Sequence, residues 1–178
     1  MKALNRGMQT SALPEAVADT AVEPPSAVDD EGFVGFYRAV FPSLAGYVRG
    51  LLGDEQTAGD VAQEALVRTY ARWIKVRAPQ PYAYLVATNL VRAEWRRRRR
   101  DADEAFRDLS VVGDSEEAAS VRDLVERLPG KLRPVVLLHY FADLPIDEVA
   151  HVLHRPTGTV KRHLHEARQL LLDALEAE

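Results

Sequence analysis

Between residues 82 and 100 the chain repeats aromatics, a hydroxyl and arginines at helical spacing. Tyr84, Thr88, Val91 and Trp95 form one row, and Arg92, Arg96 and Arg99 lie beside it on the same cylinder. Aromatic faces stack on unpaired bases, at roughly 1–3 kcal/mol each. Guanidiniums grip phosphates or guanine edges with paired hydrogen bonds. The alternative is that this row and its neighbour are both buried and that residues 96–100 are a solvated helix end, favoured there by the macrodipole. Five consecutive arginines exceed what a helix end needs, and such a cluster repels itself unless an anion faces it. The residue types point to nucleic acid.

A second constellation lies between residues 135 and 168. An apolar helix ending in Leu138, His139, Tyr140 and Phe141 is followed by a break, a short apolar-periodic helix, a turn, and a helix opening Thr157-Gly158-Thr159-Val160-Lys161-Arg162. That is the layout of a helix-turn-helix, whose second helix enters the major groove. A third group, Asp60, Gln63, Glu64, Arg68 and Arg72, makes the polar face of an amphipathic helix. Taken alone it is an ordinary solvated face, with Glu64 and Arg68 spaced as an i,i+4 pair.

Other chemistry finds less support. His139, His151, His154, His163 and His165 fall in the C-terminal third, and His151 and His154 share a helix face. Imidazole suits zinc, so a stand-alone helix-turn-helix regulator, metal-sensing through these histidines, is the alternative function. With no cysteine to complete a site, no metal and no cofactor are expected. A response-type regulator would need a sensor in front, where the arginine helix stands. Asp54, Asp60 and Glu64 could serve a nuclease, but no phosphate loop, Ser-His-Asp order or paired-carboxylate motif stands out, and the chain reads as a non-enzyme.

The positioning elements read as helices throughout. Phe33, Phe36, Tyr37, Val40, Phe41, Leu44, Tyr47, Val48, Leu51 and Leu52 mark a first helix, with a kink or short break expected at Pro42. Ala58, Val61, Ala62, Ala65, Leu66, Thr69, Trp73 and Ile74 mark a second, with Thr57 and Asp60 as its capping pair. After a basic loop, 75–80, a third helix starts near Pro81 and turns Tyr82, Leu85, Val86, Asn89, Leu90 and Ala93 to the core. The predicted fold class is all-α: two small helical domains joined by an acidic linker. Residues 1–31 are a disordered acidic, proline-rich tail, 32–100 the first domain, 101–113 the linker, and 114–178 the helix-turn-helix domain, with a helix beginning near Asp114 and Ser115.

The net charge of −4 conceals segregation: the tail carries −4, residues 32–100 carry +7, 101–130 carry −6 and 131–178 carry −1. A basic block between acidic ones fits a polyanionic partner. No apolar run reaches the ~18 residues of a membrane span, so no membrane insertion is expected. The absence of cysteine and of a signal-like N-terminus fits the cytoplasm.

Taken together these segments resemble the small extracytoplasmic-function type of bacterial RNA polymerase sigma factor, of an actinobacterial kind. Residues 60–70, Asp-Val-Ala-Gln-Glu-Ala-Leu-Val-Arg-Thr-Tyr, are similar to the family's D-x-x-Q-E-x-x-x-R helix. Residues 81–90 with Trp95 and its arginines look like the promoter-melting segment, and residues 128–168 like the helix-turn-helix. The resemblance covers about residues 32–175. It implies that Asp60, Gln63, Glu64 and Arg68 dock on core RNA polymerase. It implies that Tyr84, Asn89, Arg92, Trp95, Arg96, Arg97 and Arg99 engage the opening minus-ten element, with loop 75–80 beside an unstacked base. Arg155, Thr157, Thr159, Lys161, Arg162, His165 and Arg168 would meet the minus-thirty-five element. Core polymerase and promoter DNA are the implied partners, and an anti-sigma factor is a further candidate.

The turn departs from the family. His154 replaces the usual Gly, Arg155 the usual apolar plug, Pro156 the Ser cap, and Glu166 a common basic residue; Pro145 likewise takes a usual Ser cap position. His tolerates a left-handed backbone better than most residues. Thr157 becomes the expected N-cap, and Arg155 is expected to face solvent or phosphate.

Overall fold

The computed structural model describes the backbone of residues 27–104 and 121–176, and side chains over 30–100 and 123–176. Every element among them is helical. The tail up to residue 26, most of the linker and any helix starting at Asp114 lie outside the described residues.

Helix α1 (Ala27–Leu52) starts inside the predicted tail and runs through Pro42 without interruption. Val40, Leu44, Tyr47, Val48 and Leu51 bury one stripe at three- and four-residue spacing. Gly53, at φ +73°, reverses the chain, and its N–H donates to the Arg49 carbonyl at 2.8 Å. Helix α2 (Glu55–Tyr70) is capped by Asp54, not by the expected Thr57–Asp60 pair. The Asp54 carboxylate accepts from the Gln56 and Thr57 amides at 3.3 and 3.2 Å. Its buried side, Ala58, Ala62, Ala65, Leu66 and Thr69, is mostly small, which lets α2 lie close against α1 and α3. A 3₁₀ turn (Trp73–Lys75) follows. It is pinned to α1 by the Trp73 ring, 5.3 Å from Phe33 and 5.0 Å from Phe36.

Helix α3 (Pro79–Glu104) extends four residues past the predicted domain boundary. Its core face is Ala83, Tyr84, Ala87, Thr88 and Val91, whereas Asn89 and Ala93 are exposed. The expected core stripe is therefore off by about one residue, or ~100° of helix. Two alanines, which carry little apolar weight in a periodicity count, let the tyrosine and threonine in. The Tyr84 ring packs edge-on against Tyr47 at 5.4 Å, and its hydroxyl donates to Ser43 Oγ at 3.0 Å. Thr88 donates to the Tyr84 carbonyl at 2.7 Å, so its oxygen accepts from the Tyr47 hydroxyl at 2.8 Å. Burial raises both phenols' pKa values, and the network satisfies the polar atoms that burial would otherwise penalise.

The second unit comprises α4 (Val121–Arg127), α5 (Arg133–Val136) continued by a π turn (Leu137–Phe141), α6 (Ile146–Leu153) and α7 (Thr157–Glu176). The π turn carries an i→i−5 bond from the Ala142 amide to the Leu137 carbonyl, 3.0 Å. Leu128, Leu132, Val135, Leu138, Val149, Val152, Val160 and Leu164 fill the space between these helices. His154 ends α6 at φ +52°, the left-handed conformation expected of it.

The two units pack together, α3 on α6 and α1 on α5 with the π turn, so the buried side chains form one continuous cluster. The approach is close: a Cβ placed on Gly50 would come 2.8 Å from Leu137 Cδ1. Among the described residues, two side-chain hydrogen bonds cross the join. Gln80 Nε2 donates to the Ala142 carbonyl at 2.9 Å, and Arg92 Nη2 to the Leu153 carbonyl at 3.1 Å.

Candidate nucleic-acid interface

On α2, Asp60, Gln63, Glu64 and Arg68 all face solvent along one stripe. Glu64 accepts from Arg68 Nε at 2.7 Å, an exposed pair contributing about 0.3–0.5 kcal/mol. Val67, 54% exposed, sits in the middle of this polar stripe. Sequence periodicity missed it as a functional residue, although it lies three and four positions from Glu64 and Gln63. An apolar residue among hydrogen-bonding groups suits a protein partner more than water.

On α3 the expected DNA row divides. Trp95 (36% exposed), Arg96 and Arg99 face outward, and neither arginine forms an ion pair with a described residue. Asn89 is exposed too, with Arg92 Nη1 at 3.4 Å from its side-chain oxygen. Three other residues are held differently. Tyr84 is fully buried and presents no face to nucleic acid, which corrects its assignment as a base-stacking residue. Arg92 is drawn to the Leu153 carbonyl, because the last turn of α6 offers unsatisfied acceptors and a negative dipole end. Arg97 shares Glu94 with Arg98, at 2.7 and 2.8 Å. These hydrogen bonds, from Arg97 first and then Arg98, lower the Glu94 pKa from 4.5 to about 2. Arg98 also reaches the Leu52 carbonyl at 3.3 Å and Asp54 at 3.8 Å, tying α3 to the end of α1. Between α2 and α3, Arg68, Arg72, Tyr82, Val86 and Asn89 line an open groove of about 370 Å³. Tyr82, expected in the core, thus borders the surface.

On α7, Lys161, Arg162, His165 and Arg168 are exposed along one face, with Thr157 and Thr159 at its start. Gln169, four residues beyond His165, extends that face, and its helical spacing from His165 is the signal that could have found it. Arg168 is oriented by its bond to the Tyr140 hydroxyl, 2.8 Å. Thr157 does not cap the helix: its hydroxyl points to Asp147 Oδ1 at 3.5 Å. Arg155 has partners that its sequence neighbourhood does not show. The residue is half-exposed, but its guanidinium is engaged within the domain, Nη1 donating to the Lys131 carbonyl at 2.9 Å and lying 3.1 Å from His163 Nδ1. Glu166 is paired with Lys131 Nζ at 2.8 Å, which offsets its repulsion of phosphate. His151 and His154 lie with ring centroids 6.4 Å apart, and among the described residues no group of three metal-ligating side chains forms.

Residues 31–101 match the family model for sigma-70 region 2, and residues 118–171 the model for sigma-70 region 4. An RNA polymerase sigma-E factor of Streptomyces avermitilis is 34% identical over 154 residues, covering 82% of this chain and 86% of that protein. The chain belongs to the sigma-70 family, as a sigma factor of the extracytoplasmic-function type. The SigW extracytoplasmic-function sigma factor of Bacillus subtilis is 28% identical over 68% of this chain and 76% of its own length. A solved structure shares the fold with TM-score 0.67 at 18% identity, covering 83% of this chain and 99% of its own. It is the sigma factor RpoE from Bartonella quintana in complex with the anti-sigma factor NepR. Sigma factors direct initiation by RNA polymerase and catalyse no reaction of their own. Among the described residues no helix is long and apolar enough to cross a membrane.

Proposed function

We propose that this sigma factor divides its work among three surfaces: the α2 stripe docks on core polymerase, the outer end of α3 engages the opening minus-ten element, and α7 reads the minus-thirty-five element. The observation that carries this is the presence, in one chain, of the exposed Gln63–Glu64–Val67 stripe, the free Trp95–Arg96–Arg99 edge and a cationic helix-turn-helix face.

The mechanism makes and breaks no covalent bond. Unstacking a base costs a few kcal/mol. Trp95 offers a stacking surface, Arg96 and Arg99 neutralise phosphates, and Asn89 supplies both a donor and an acceptor for a base edge. Lys161, Arg162 and Arg168 supply phosphate and groove contacts, with Thr157, Thr159 and His165 beside them. Tethering two weak readers to one enzyme raises the effective concentration of each, so neither needs tight binding alone. The site of action is the cytoplasm, where polymerase and chromosome meet, and an anti-sigma factor is a partner by likeness to the Bartonella assembly.

Gel filtration of the chain with core polymerase, followed by run-off transcription, tests this reading. Co-elution with core and RNA from defined start sites are expected. A chain that binds duplex DNA but not core would instead be a stand-alone regulator.

A further inference from the structure

Two of the residues at which this chain departs from its family, Arg155 and Glu166, meet in one cluster. Arg155, in the turn before α7, spans to the Lys131 carbonyl at 2.9 Å and to His163 Nδ1 at 3.1 Å. Lys131 Nζ returns to Glu166 Oε1 on α7 at 2.8 Å. The backbone of Lys131 therefore ties the turn before α5 to the turn before the DNA-facing helix, and its side chain ties it to the middle of that helix. A guanidinium only donates, so His163 Nδ1 must carry its lone pair and the ring must be neutral, with its proton on Nε2. The ring is 6% exposed. Arg155, Lys131 and Arg162 surround it with positive charge, and Glu166 is the anion facing it.

We propose that Arg155 and neutral His163 are positioning residues for minus-thirty-five recognition: together they set α7 against the turn at residues 129–132, and protonation of His163 releases it. This rests on the reading of α7 as the minus-thirty-five reader. The arginine takes the place of an apolar plug, and its head joins Lys131 and His163 by hydrogen bonds in place of apolar contact. A protonated His163 would lose its acceptor and add a further cation to three. Burial, then Arg155 and Arg162, lower the His163 pKa below its ordinary 6.5, so the ring is neutral near neutrality. The stabilisation is therefore complete above 6.5 and is lost as the pH falls through the lowered value.

The test uses holoenzyme assembled from the full chain and core polymerase. Its probe is a promoter duplex selected by that holoenzyme from a library randomised at both elements, with a matched duplex scrambled at minus-thirty-five. Affinity is measured at pH 8 and 5.5 over a salt series. His163→Asn keeps an acceptor oxygen near the Nδ1 position and does not titrate. Wild type is expected to lose several-fold more affinity at pH 5.5 than His163→Asn, with the two alike at pH 8. Arg155→Ala is expected to weaken binding about tenfold at pH 8, the order of one charge-assisted hydrogen bond. Its salt slope should be unchanged, since a positioning residue releases no counterion. Equal pH responses in wild type and His163→Asn would overturn the proposal, even if Arg155→Ala fails to fold. So would a salt slope reduced by about one, which would make Arg155 a phosphate ligand. If wild type fails to distinguish the scrambled duplex at pH 8, the minus-thirty-five reading itself fails and the proposal falls with it.

Discussion

At the residue scale, the arginines at the end of α3 look alike in sequence and have different work in the fold. Arg98 holds α3 to the end of α1 and shares Glu94 with Arg97, while Arg96 and Arg99 form no ion pair among the described residues. Replacing Arg96 and Arg99 with Ala should leave melting unchanged, slow promoter opening and lower the salt slope by about 0.7–0.9 for each phosphate no longer neutralised. Replacing Arg98 should instead lower the melting temperature. Glu94 offers a pH readout: its folded pKa is about 2 against 4.5, so its stabilisation is complete above 4.5 and fades as pH falls toward 2. Acid melts of wild type and Glu94→Gln should converge over that window. His154 at φ +52° supplies a third case. His154→Gly should stabilise the second unit by roughly 0.5–1 kcal/mol, read by denaturant titration, by relieving a left-handed non-glycine residue.

At the element scale, the α2 stripe places Gln63, Glu64 and Val67 in solvent with no structural duty beyond the Glu64–Arg68 pair. Val67→Asp combined with Gln63→Ala should therefore preserve folding by circular dichroism and weaken binding to core at least tenfold. Much of this is legible in sequence. The helices, the helix-turn-helix and the left-handed His154 follow from periodicity, turn chemistry and backbone sterics, which act locally. What escapes depends on neighbours distant in sequence. The type and spacing of Tyr84 suit stacking on a base, and only the approach of Tyr47 and Ser43 from α1 shows it to be core. Arg155 reads as solvent-facing because its partners, Lys131 and His163, lie 24 and 8 residues away. Pro42 reads as an interruption of α1, but it only removes one donor, and the packing of Val40, Leu44 and Tyr47 on both sides carries the helix through.

At the scale of the whole molecule, the two DNA readers are packed together, with Arg92 of α3 bound to the last turn of α6. The elements they read lie about 25 base pairs apart by name, on the order of 80 Å along the duplex. We expect the contact of α3 with α6 to open when both elements are read at once. The chain has no cysteine, so single cysteines at exposed Ala39 on α1 and Leu175 at the end of α7, away from the three proposed surfaces, permit clean labelling. Energy transfer between them should fall when holoenzyme engages a promoter, and unchanged transfer would contradict simultaneous reading of both elements. Initiation by this chain is tested most directly by 5′-end mapping of RNA made by core polymerase on fragmented chromosomal DNA, with and without it. Discrete start sites that appear only with the chain, share two sequence elements upstream and vanish with the α2 double variant are the predicted result; an unchanged, scattered distribution of ends would contradict it.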